Sequence, residues 1–173
     1  MRPVIRRVAP LLLAVVLLLG SLVAGAAPMD ALSLLAQLHA HPGETGTPVL
    51  RSLVSLRDLD DQAWQLVAFR DGPPGAPLRL RVVGYPGKVR LDHPTSLQVR
   101  SGPFQWALED VTLESSALGN DGRSAAAEFD LQPLLADLSR DRPLRLRLPG
   151  VFTELPVPPF VVAEWRSLGE SPA

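Results

Sequence analysis

The 173-residue sequence contains no cysteine, which excludes disulfide bonds, thiol catalysis and cysteine-ligated metal sites. It also lacks a Walker A loop, a G-x-G-x-x-G loop and a G-x-S-x-G elbow, so no motif supports nucleotide binding or serine-type hydrolysis. Aromatic residues make up only 5% of the chain. We therefore expect a domain that is not an enzyme, binds no cofactor or metal, and folds around an aliphatic core.

The N-terminal segment Met1–Ala26 has the three parts of a secretory signal peptide. Three arginines come first without an acidic residue, an almost wholly apolar run follows from Val8 to Ala24, and small residues end the segment. This order predicts export, with cleavage after Ala26. The alternative is an uncleaved membrane anchor, because the apolar run approaches the roughly 20 residues that span a bilayer.

Removal of the first 26 residues takes three arginines and no acid, leaving 147 residues with 14 basic and 18 acidic side chains, a net charge of −4. A mildly acidic domain has no general attraction for nucleic acid or anionic lipid. A chain of this length forms one domain and buries about two thirds of its unfolded surface. We expect residues 27–48 to form a helix and a linker, and residues 49–169 to form a single β-domain.

A β-hairpin is predicted near the middle of the chain. Apolar and charged residues alternate over Leu78–Val82 and again over Lys88–Asp92, which places the apolar side chains on one face of each strand. The tetrapeptide Tyr85–Lys88 has proline and glycine at its central positions, as a type II turn requires. Gly84 indicates a bulge or a close approach of the backbone.

Short segments of similar character predict further strands on both sides of this hairpin. They are Val49–Arg57, Gln62–Arg70, Ser96–Arg100, Phe104–Glu109, Val111–Ser115, Arg123–Phe129, Leu144–Leu148 and Phe160–Leu168. A helix is expected over residues 131–139, capped by Asp130, and an N-terminal helix up to His39. Leu155–Pro159 is expected to be polyproline-like. Strands about ten residues apart predict a mainly β fold, either an antiparallel sandwich or a barrel.

Two arginine pairs, Arg79/Arg81 and Arg145/Arg147, are the first candidates for a binding surface. If their strands were neighbours, the four guanidinium groups would form one basic stripe, which suits carboxylate or phosphate partners. The alternative is a solvated sheet face on which the arginines pair with acidic residues across strands.

The aromatic candidates for partner binding are Tyr85, at the predicted turn, and Trp165. Trp64, Trp106 and Trp165 are either core anchors or binding hot spots, where tryptophan is enriched. Core packing is favoured for the set, and Trp165 has the strongest expectation of exposure because two charged residues flank it.

Candidate metal and catalytic residues lack supporting motifs. His39 and His41 have no third ligand nearby, and the acidic loop at Asp58 lacks the glycine and distal glutamate of an EF-hand. His93 beside Asp92 or Asp58 would serve as a general base only with a nucleophile, which no motif supplies. We assign no metal ligand and no catalytic residue.

Several short motifs occur in an order that resembles a known family. They are Ser55-Leu56-Arg57-Asp58, Trp64-Gln65, Leu80-Arg81-Val82-Val83-Gly84-Tyr85-Pro86-Gly87, His93-Pro94, and Val157-Pro158-Pro159 followed by Glu164-Trp165. Over roughly Val49–Leu168 the chain resembles a family of exported cyanobacterial proteins classified as a domain of unknown function. The resemblance implies a cyanobacterial host and a location in the periplasm or thylakoid lumen, and it supplies no catalytic residues.

The sequence therefore predicts an exported, non-catalytic β-domain that binds a protein partner or assists a membrane complex, a photosynthetic complex included. This function requires an exposed apolar or aromatic patch on the order of several hundred Å². The alternative is a β-barrel that carries a small apolar ligand in an interior lined by Leu80, Val82, Leu91, Leu146 and Trp106. A third hypothesis is a hydrolase that uses Asp58 and His93.

Overall fold

The computed structural model describes residues 38–42, 48–70, 75–119 and 125–170, and these residues form two antiparallel sheets and two α-helices. The elements are β1 (Leu38–Pro42), β2 (Pro48–Arg57), β3 (Ala63–Arg70), β4 (Leu78–Val83), β5 (Leu97–Ser101), β6 (Phe104–Leu108), a 3₁₀ turn (Thr112–Glu114), β7 (Ala126–Asp130), α1 (Gln132–Asp137), β8 (Leu144–Leu148), β9 (Phe152–Val157) and α2 (Pro159–Glu170). No helix among these residues has the length and apolar character needed to cross a bilayer.

The strands form a five-stranded sheet in the order β1-β2-β3-β4-β7 and a four-stranded sheet in the order β6-β5-β8-β9. The mainly β prediction is confirmed, and two separate open sheets agree with the sandwich rather than the barrel. Alternating side chains supply the core: Leu66 of β3 lies opposite Val82 of β4, and Leu80 of β4 lies opposite Phe129 of β7. All four are fully buried.

The predicted central hairpin is half correct. Its turn exists, because the Lys88 amide donates to the Tyr85 carbonyl at 3.1 Å and Gly87 has a φ of +82°. The second strand is wrong, since residues 88–92 form no strand and β4 pairs with β7 instead. Gly84 makes the expected close approach: a Cβ there would lie 2.8 Å from the Trp64 ring.

The C-terminal prediction is wrong in its secondary structure. Phe160–Leu168, predicted as a strand, lies within the helix α2, and the predicted polyproline segment begins within the strand β9. The helix starts at a proline, which is tolerated in the first turn. Its buried residues Val161, Val162, Trp165 and Leu168 follow helical spacing, so one face of α2 enters the core.

Two polar contacts attach α2 to the five-stranded sheet. The Ser52 hydroxyl donates a hydrogen bond to the Glu164 carboxylate at 2.6 Å, and both residues are buried. The Arg70 guanidinium donates to the Leu168 carbonyl at 3.3 Å. A buried carboxyl group requires such a partner, so the position of α2 along the sheet is specified by chemistry as well as by apolar contact.

The remaining local predictions have mixed outcomes. The strands Val49–Arg57 and Gln62–Arg70 are confirmed as the hairpin of β2 and β3. The helix near residues 131–139 is confirmed as α1, and the Asp130 carboxylate accepts a hydrogen bond from the Gln132 amide. The strand predicted at Val111–Ser115 is wrong: a 3₁₀ turn forms there, because the Asp110 carboxylate binds the Thr112 amide.

The predictions for the N-terminal region lie mostly outside the described residues. The signal peptide and most of the predicted N-terminal helix fall in residues 1–37, and the central part of the predicted linker falls in residues 43–47. Leu38–Pro42 is a correction, because it forms strand β1 and pairs antiparallel with β2. These residues were expected to end a helix and begin a linker.

Candidate functional site

The two arginine pairs do not form one basic stripe. Arg79 and Arg81 lie on β4 in the five-stranded sheet, whereas Arg145 and Arg147 lie on β8 in the four-stranded sheet. The stripe prediction depended on these strands being neighbours and is wrong for that reason.

Arg79 and Arg81 form ion pairs with acidic residues of the 3₁₀ turn and of strand β7. The Arg81 Nε atom lies 2.7 Å from an oxygen of the buried Glu128 side chain, and its guanidinium stands 5.1 Å from the Phe69 ring centre. Arg79 pairs with Glu114 at 3.4 Å. This arrangement matches the alternative reading, in which the arginines neutralise acidic residues of the same surface.

The two aromatic candidates differ in exposure. Tyr85 is 63% exposed, and the Lys88 ammonium lies 5.6 Å from its ring centre. Trp165 is fully buried on the inner face of α2, so the prediction that it is exposed is wrong. Of its charged neighbours, Glu164 is itself buried against Ser52 and Arg166 pairs with Asp141, so flanking charges do not imply exposure.

A third aromatic group lies where β5 turns into β6. The Phe104 and Trp106 rings stack with their centres 6.0 Å apart, and the Arg142 guanidinium lies 5.2 Å from the Phe104 ring centre. Phe104 is 48% exposed. The Trp106 indole N–H donates to the Asp137 carboxylate of α1 at 3.0 Å, which fixes the ring orientation.

Arginines lie at the same edge of the sheet: Arg142 contacts the Phe104 ring, whereas Arg100 and Arg145 lie on the opposite face. An open cleft of about 420 Å³ nearby is lined by Arg100, Ser101, Gly102, Arg142, Pro143 and Arg145. Arg100 lies directly opposite Arg145 in the β5–β8 register, and Arg145 pairs with Glu154 of β9. Among the described residues, no acidic side chain forms an ion pair with Arg100 or Arg142. We call Phe104, Trp106, Arg100, Arg142 and Arg145 the arginine–aromatic surface.

The arginine–aromatic surface has the chemistry of a binding site for an acidic partner. Like charges directly opposite each other destabilise a sheet, so the Arg100–Arg145 pair is not explained by stability alone. Planar guanidinium groups bind carboxylates with two parallel hydrogen bonds. On the other face of the same edge, the half-exposed Phe104 ring and the partly buried Trp106 ring add apolar contact area at a low cost in conformational entropy.

A second cluster centres on Asp110. Its carboxylate lies 2.8 Å from the His93 Nδ1 atom and accepts hydrogen bonds from the Thr95 amide, the Thr112 amide and the Thr112 hydroxyl. A small cleft of about 90 Å³ opens beside His93 and Asp110. The Asp110 side chain is almost fully buried, and Thr112 in turn accepts from the Glu128 amide at 2.9 Å. The Asp110 carboxylate therefore links residues 93–95 to its own segment and, through Thr112, to strand β7.

The hydrolase hypothesis required Asp58 and His93 to act together, and the structure gives each a different partner. Asp58 accepts a hydrogen bond from the Trp64 indole N–H at 2.8 Å, and the Asp60 and Gln62 amides bind its other oxygen. His93 contacts Asp110, and Asp92 lies 3.6 Å from Arg90. The pairings proposed from the sequence are wrong.

A comparison with protein-family models assigns the chain. The model described as "Protein of unknown function (DUF3122)" matches residues 36–168. The chain belongs to this family. No curated protein and no solved structure matches it. The matched range of this DUF3122 domain includes both the arginine–aromatic surface and the Asp110 cluster.

The sequence pattern alone did not select the arginine–aromatic surface of the DUF3122 domain. Of its members, the sequence pattern predicts a binding role for Arg145 and places Trp106 in the core or in a cavity, and no pattern points to Arg100 or Arg142. Alternation along β6 puts Phe104 and Trp106 on one face, which is a usable signal. The contribution of Arg142 depends on the path of the loop before β8, and that path is not encoded in any local pattern.

The four-stranded sheet also bears on the carrier hypothesis for this DUF3122 domain. Of the five residues expected to line a ligand cavity, Leu80, Val82, Leu91 and Leu146 belong to the single packed core cluster. Trp106 is partly buried, packs against the same cluster and is hydrogen-bonded to α1. In the structure, these five positions contribute to one packed core.

The carboxyl pKa of Asp110 gives a testable pH dependence. Burial alone would raise this pKa, but hydrogen bonds from the Thr112 side chain, His93 and the Thr95 and Thr112 amides together lower it below the ordinary 3.8. A lowered folded-state pKa contributes stability that is present above the unfolded-state pKa. That contribution is lost as the pH falls through the folded-state pKa.

We expect Asp110→Asn to reduce the free energy of unfolding at pH 7 by about 1–3 kcal/mol, because one acceptor replaces a carboxylate that binds four donors. The variant should also lose less stability than the parent between about pH 4 and pH 2. Urea unfolding measured across this pH range tests both effects. Asp92→Asn, an exposed neighbour, is the matched control, and an unchanged acid slope in Asp110→Asn would contradict the assignment.

Proposed function

We propose that this protein is an exported, non-catalytic β-domain that binds a protein partner at the arginine–aromatic surface. The observation that supports this most directly is the Phe104–Trp106 stack, in which Phe104 is half exposed and lies beside Arg142. Tryptophan and arginine are enriched among the residues that dominate binding energy at protein interfaces. The three arginines indicate that the partner presents acidic groups.

The proposal includes a compartment. The charged, apolar and small-residue regions of Met1–Ala26 support export, and the resemblance noted above supports a cyanobacterial periplasm or thylakoid lumen. A partner in or beside a membrane complex, a photosynthetic one included, fits a domain delivered to that location. The negative overall charge favours recognition through this local basic surface over general attraction to anionic lipid.

Site-specific cross-linking tests the proposed function. A photoreactive phenylalanine analogue is placed at position 104, or at position 160 as a matched control, and the full chain is irradiated in its host. Phe160 is similarly exposed, at 49%, but begins α2 next to β9 at the other edge of the sheet. We expect cross-linking from position 104 to give an adduct of one defined mass, and the yield of this adduct should fall in Arg142→Ala. Cross-linking from position 160 should give no adduct of that mass.

The control decides how the result is read. Adducts of the same mass and yield from both positions would show contact without a specific surface, and an absence of adducts at position 104 would remove this surface from the proposal. Retention of the adduct in Arg142→Ala at parental yield would contradict the role of the arginines. Export is tested separately, because N-terminal sequencing of the processed protein should begin at Ala27.

A further inference from the structure

The outer edges of the two sheets differ in how they are protected against pairing with another chain. An edge strand exposes backbone N–H and C=O groups, and natural proteins usually protect it with charged residues or proline. The described edges are β1, β7, β9 and β6. Pro42 lies in β1, β9 contains both a glutamate and a proline, and the outer side of β7 is hydrogen-bonded to residues 109–111.

Strand β6 has neither charge nor proline, and helix α1 contacts it through the Trp106–Asp137 hydrogen bond. The sequence of β6 is Phe-Gln-Trp-Ala-Leu, and within the described residues β6 pairs only with β5. Four of its five residues are exposed or partly exposed. By the rule that the other edges follow, β6 is the edge left open for strand addition.

We infer that β6 is a docking edge that takes an extended acidic segment of a protein partner as an additional antiparallel or parallel strand. This inference rests on the proposed function and specifies the partner of the same surface. Backbone hydrogen bonds to β6 would supply affinity, and the side chains on the two faces of the added strand would supply specificity.

The two faces of β6 predict the pattern of the partner segment. Phe104 and Trp106 share one face, whereas Gln105 lies on the other face, directly opposite Arg100. Arg100 in turn lies opposite Arg145, so guanidinium groups continue that second face across the sheet. Neighbouring strands are about 4.8 Å apart, and a long arginine side chain reaches past the neutral Gln105 toward an added strand. Apolar and acidic residues should therefore alternate in the segment.

Charge also distinguishes this partner from a second copy of the chain. Two copies joined at β6 would bring two sets of Arg100 and Arg142 near one joint, and like charges oppose such pairing. A segment with carboxylates at alternate positions meets the same arginines with opposite charge. The occupant that fits the edge is therefore an acidic strand of another protein.

Binding of a defined peptide to the full chain tests the inference. The probe is a fluorescein-labelled peptide of alternating glutamate and valine, and its basic counterpart has lysine in place of glutamate. We expect fluorescence anisotropy to show saturable binding of the acidic peptide only, weakened by salt. Two further forms of the acidic peptide are N-methylated at alternate backbone nitrogens, one form for each of the two possible frames. In one frame the methyl groups remove the hydrogen bonds between the peptide and β6, so this form should bind about tenfold or more weakly.

Matched variants place the peptide on β6. Ala107→Glu adds a negative charge to the exposed side of β6 and should weaken the acidic peptide about tenfold, whereas Thr153→Glu on β9 should leave its affinity unchanged. Strand addition at β6 would be overturned if both N-methylated forms bound as tightly as the parent peptide. It would also be overturned if the two protein variants changed the affinity equally. Concentration-dependent dimers that Ala107→Glu abolishes would overturn the acidic partner in favour of a second copy.

The outcomes separate this inference from the proposed function. An adduct at position 104 together with peptide binding that is insensitive to N-methylation keeps the proposed function and removes strand addition. Peptide binding confined to β6 without any adduct in the host keeps the docking edge and removes the proposed use of the surface.

Discussion

Trp165→Ala is expected to lower the free energy of unfolding by about 3–5 kcal/mol, the range for truncation of a large buried aromatic residue. Trp165 is fully buried, and it lies on the face of α2 that enters the core with Val161 and Leu168. Its removal leaves a cavity where the helix meets the five-stranded sheet, and the Ser52–Glu164 hydrogen bond holds the helix near its original position. Collapse around the cavity is therefore restricted.

Urea unfolding of Trp165→Ala and Phe160→Ala measures this effect within one helix. Phe160 is 49% exposed, so its replacement should change the free energy of unfolding by about 0.5 kcal/mol or less. Trp165→Phe should cost less than Trp165→Ala, because the ring is kept and the indole N–H has no hydrogen-bond partner among the described residues. Equal losses at positions 160 and 165 would contradict the burial of Trp165.

Asp58→Ala should lower the free energy of unfolding by about 2–4 kcal/mol, because it leaves several donors without an acceptor. The Trp64 indole N–H is buried and donates to the Asp58 carboxylate at 2.8 Å. The Asp60 and Gln62 amides, which shape the turn between β2 and β3, bind the other oxygen at 2.9 Å each. Trp64 also contacts the Phe152 ring, so its displacement would disturb both sheets.

Thermal or urea unfolding of three variants checks this prediction. Asp58→Asn keeps one carbonyl acceptor and should lie between the parent and Asp58→Ala in stability. Asp60→Ala removes a side chain from the same turn while keeping the backbone amide that Asp58 binds, so its effect should be small. A loss in Asp60→Ala as large as that in Asp58→Ala would show that the turn, and not the Trp64 hydrogen bond, is responsible.

Local patterns predicted much of the sheet structure. The alternation of leucine and arginine in β4 and β8 places the leucines inside and the arginines outside, as observed. The β2–β3 hairpin was also predictable, because its strands are adjacent in sequence and a short acidic turn joins them. In these cases, the information that fixes the structure lies within one or two neighbouring segments.

Pairing between distant segments was not predictable in the same way. Strand β4 pairs with β7 as well as with β3, and the Gly84 amide continues the pairing with β7 by donating to the Ala125 carbonyl. Nothing in residues 78–94 indicates that β7 occupies this edge. The arginine–aromatic surface has the same origin, because Arg100 and Arg145 meet only through the register between β5 and β8.

The error at α2 has a different cause. Short apolar segments rich in β-branched residues are ambiguous between strand and helix, and Val161 and Val162 favour the strand interpretation. The spacing of Val161, Trp165 and Leu168 fits a helix, and in a helix all three side chains are buried on one face. The prediction that Trp165 is exposed was wrong for the same reason, because a strand and a helix place this side chain in different surroundings.

The contribution of α2 to the core affects when the domain can fold during synthesis. Until Trp165 and Leu168 have left the ribosome, the core lacks the side chains that α2 contributes, and the leucines beside them stay accessible to chaperones. Because α2 follows the described strands in chain order, the core can close only after all of these strands have been synthesised.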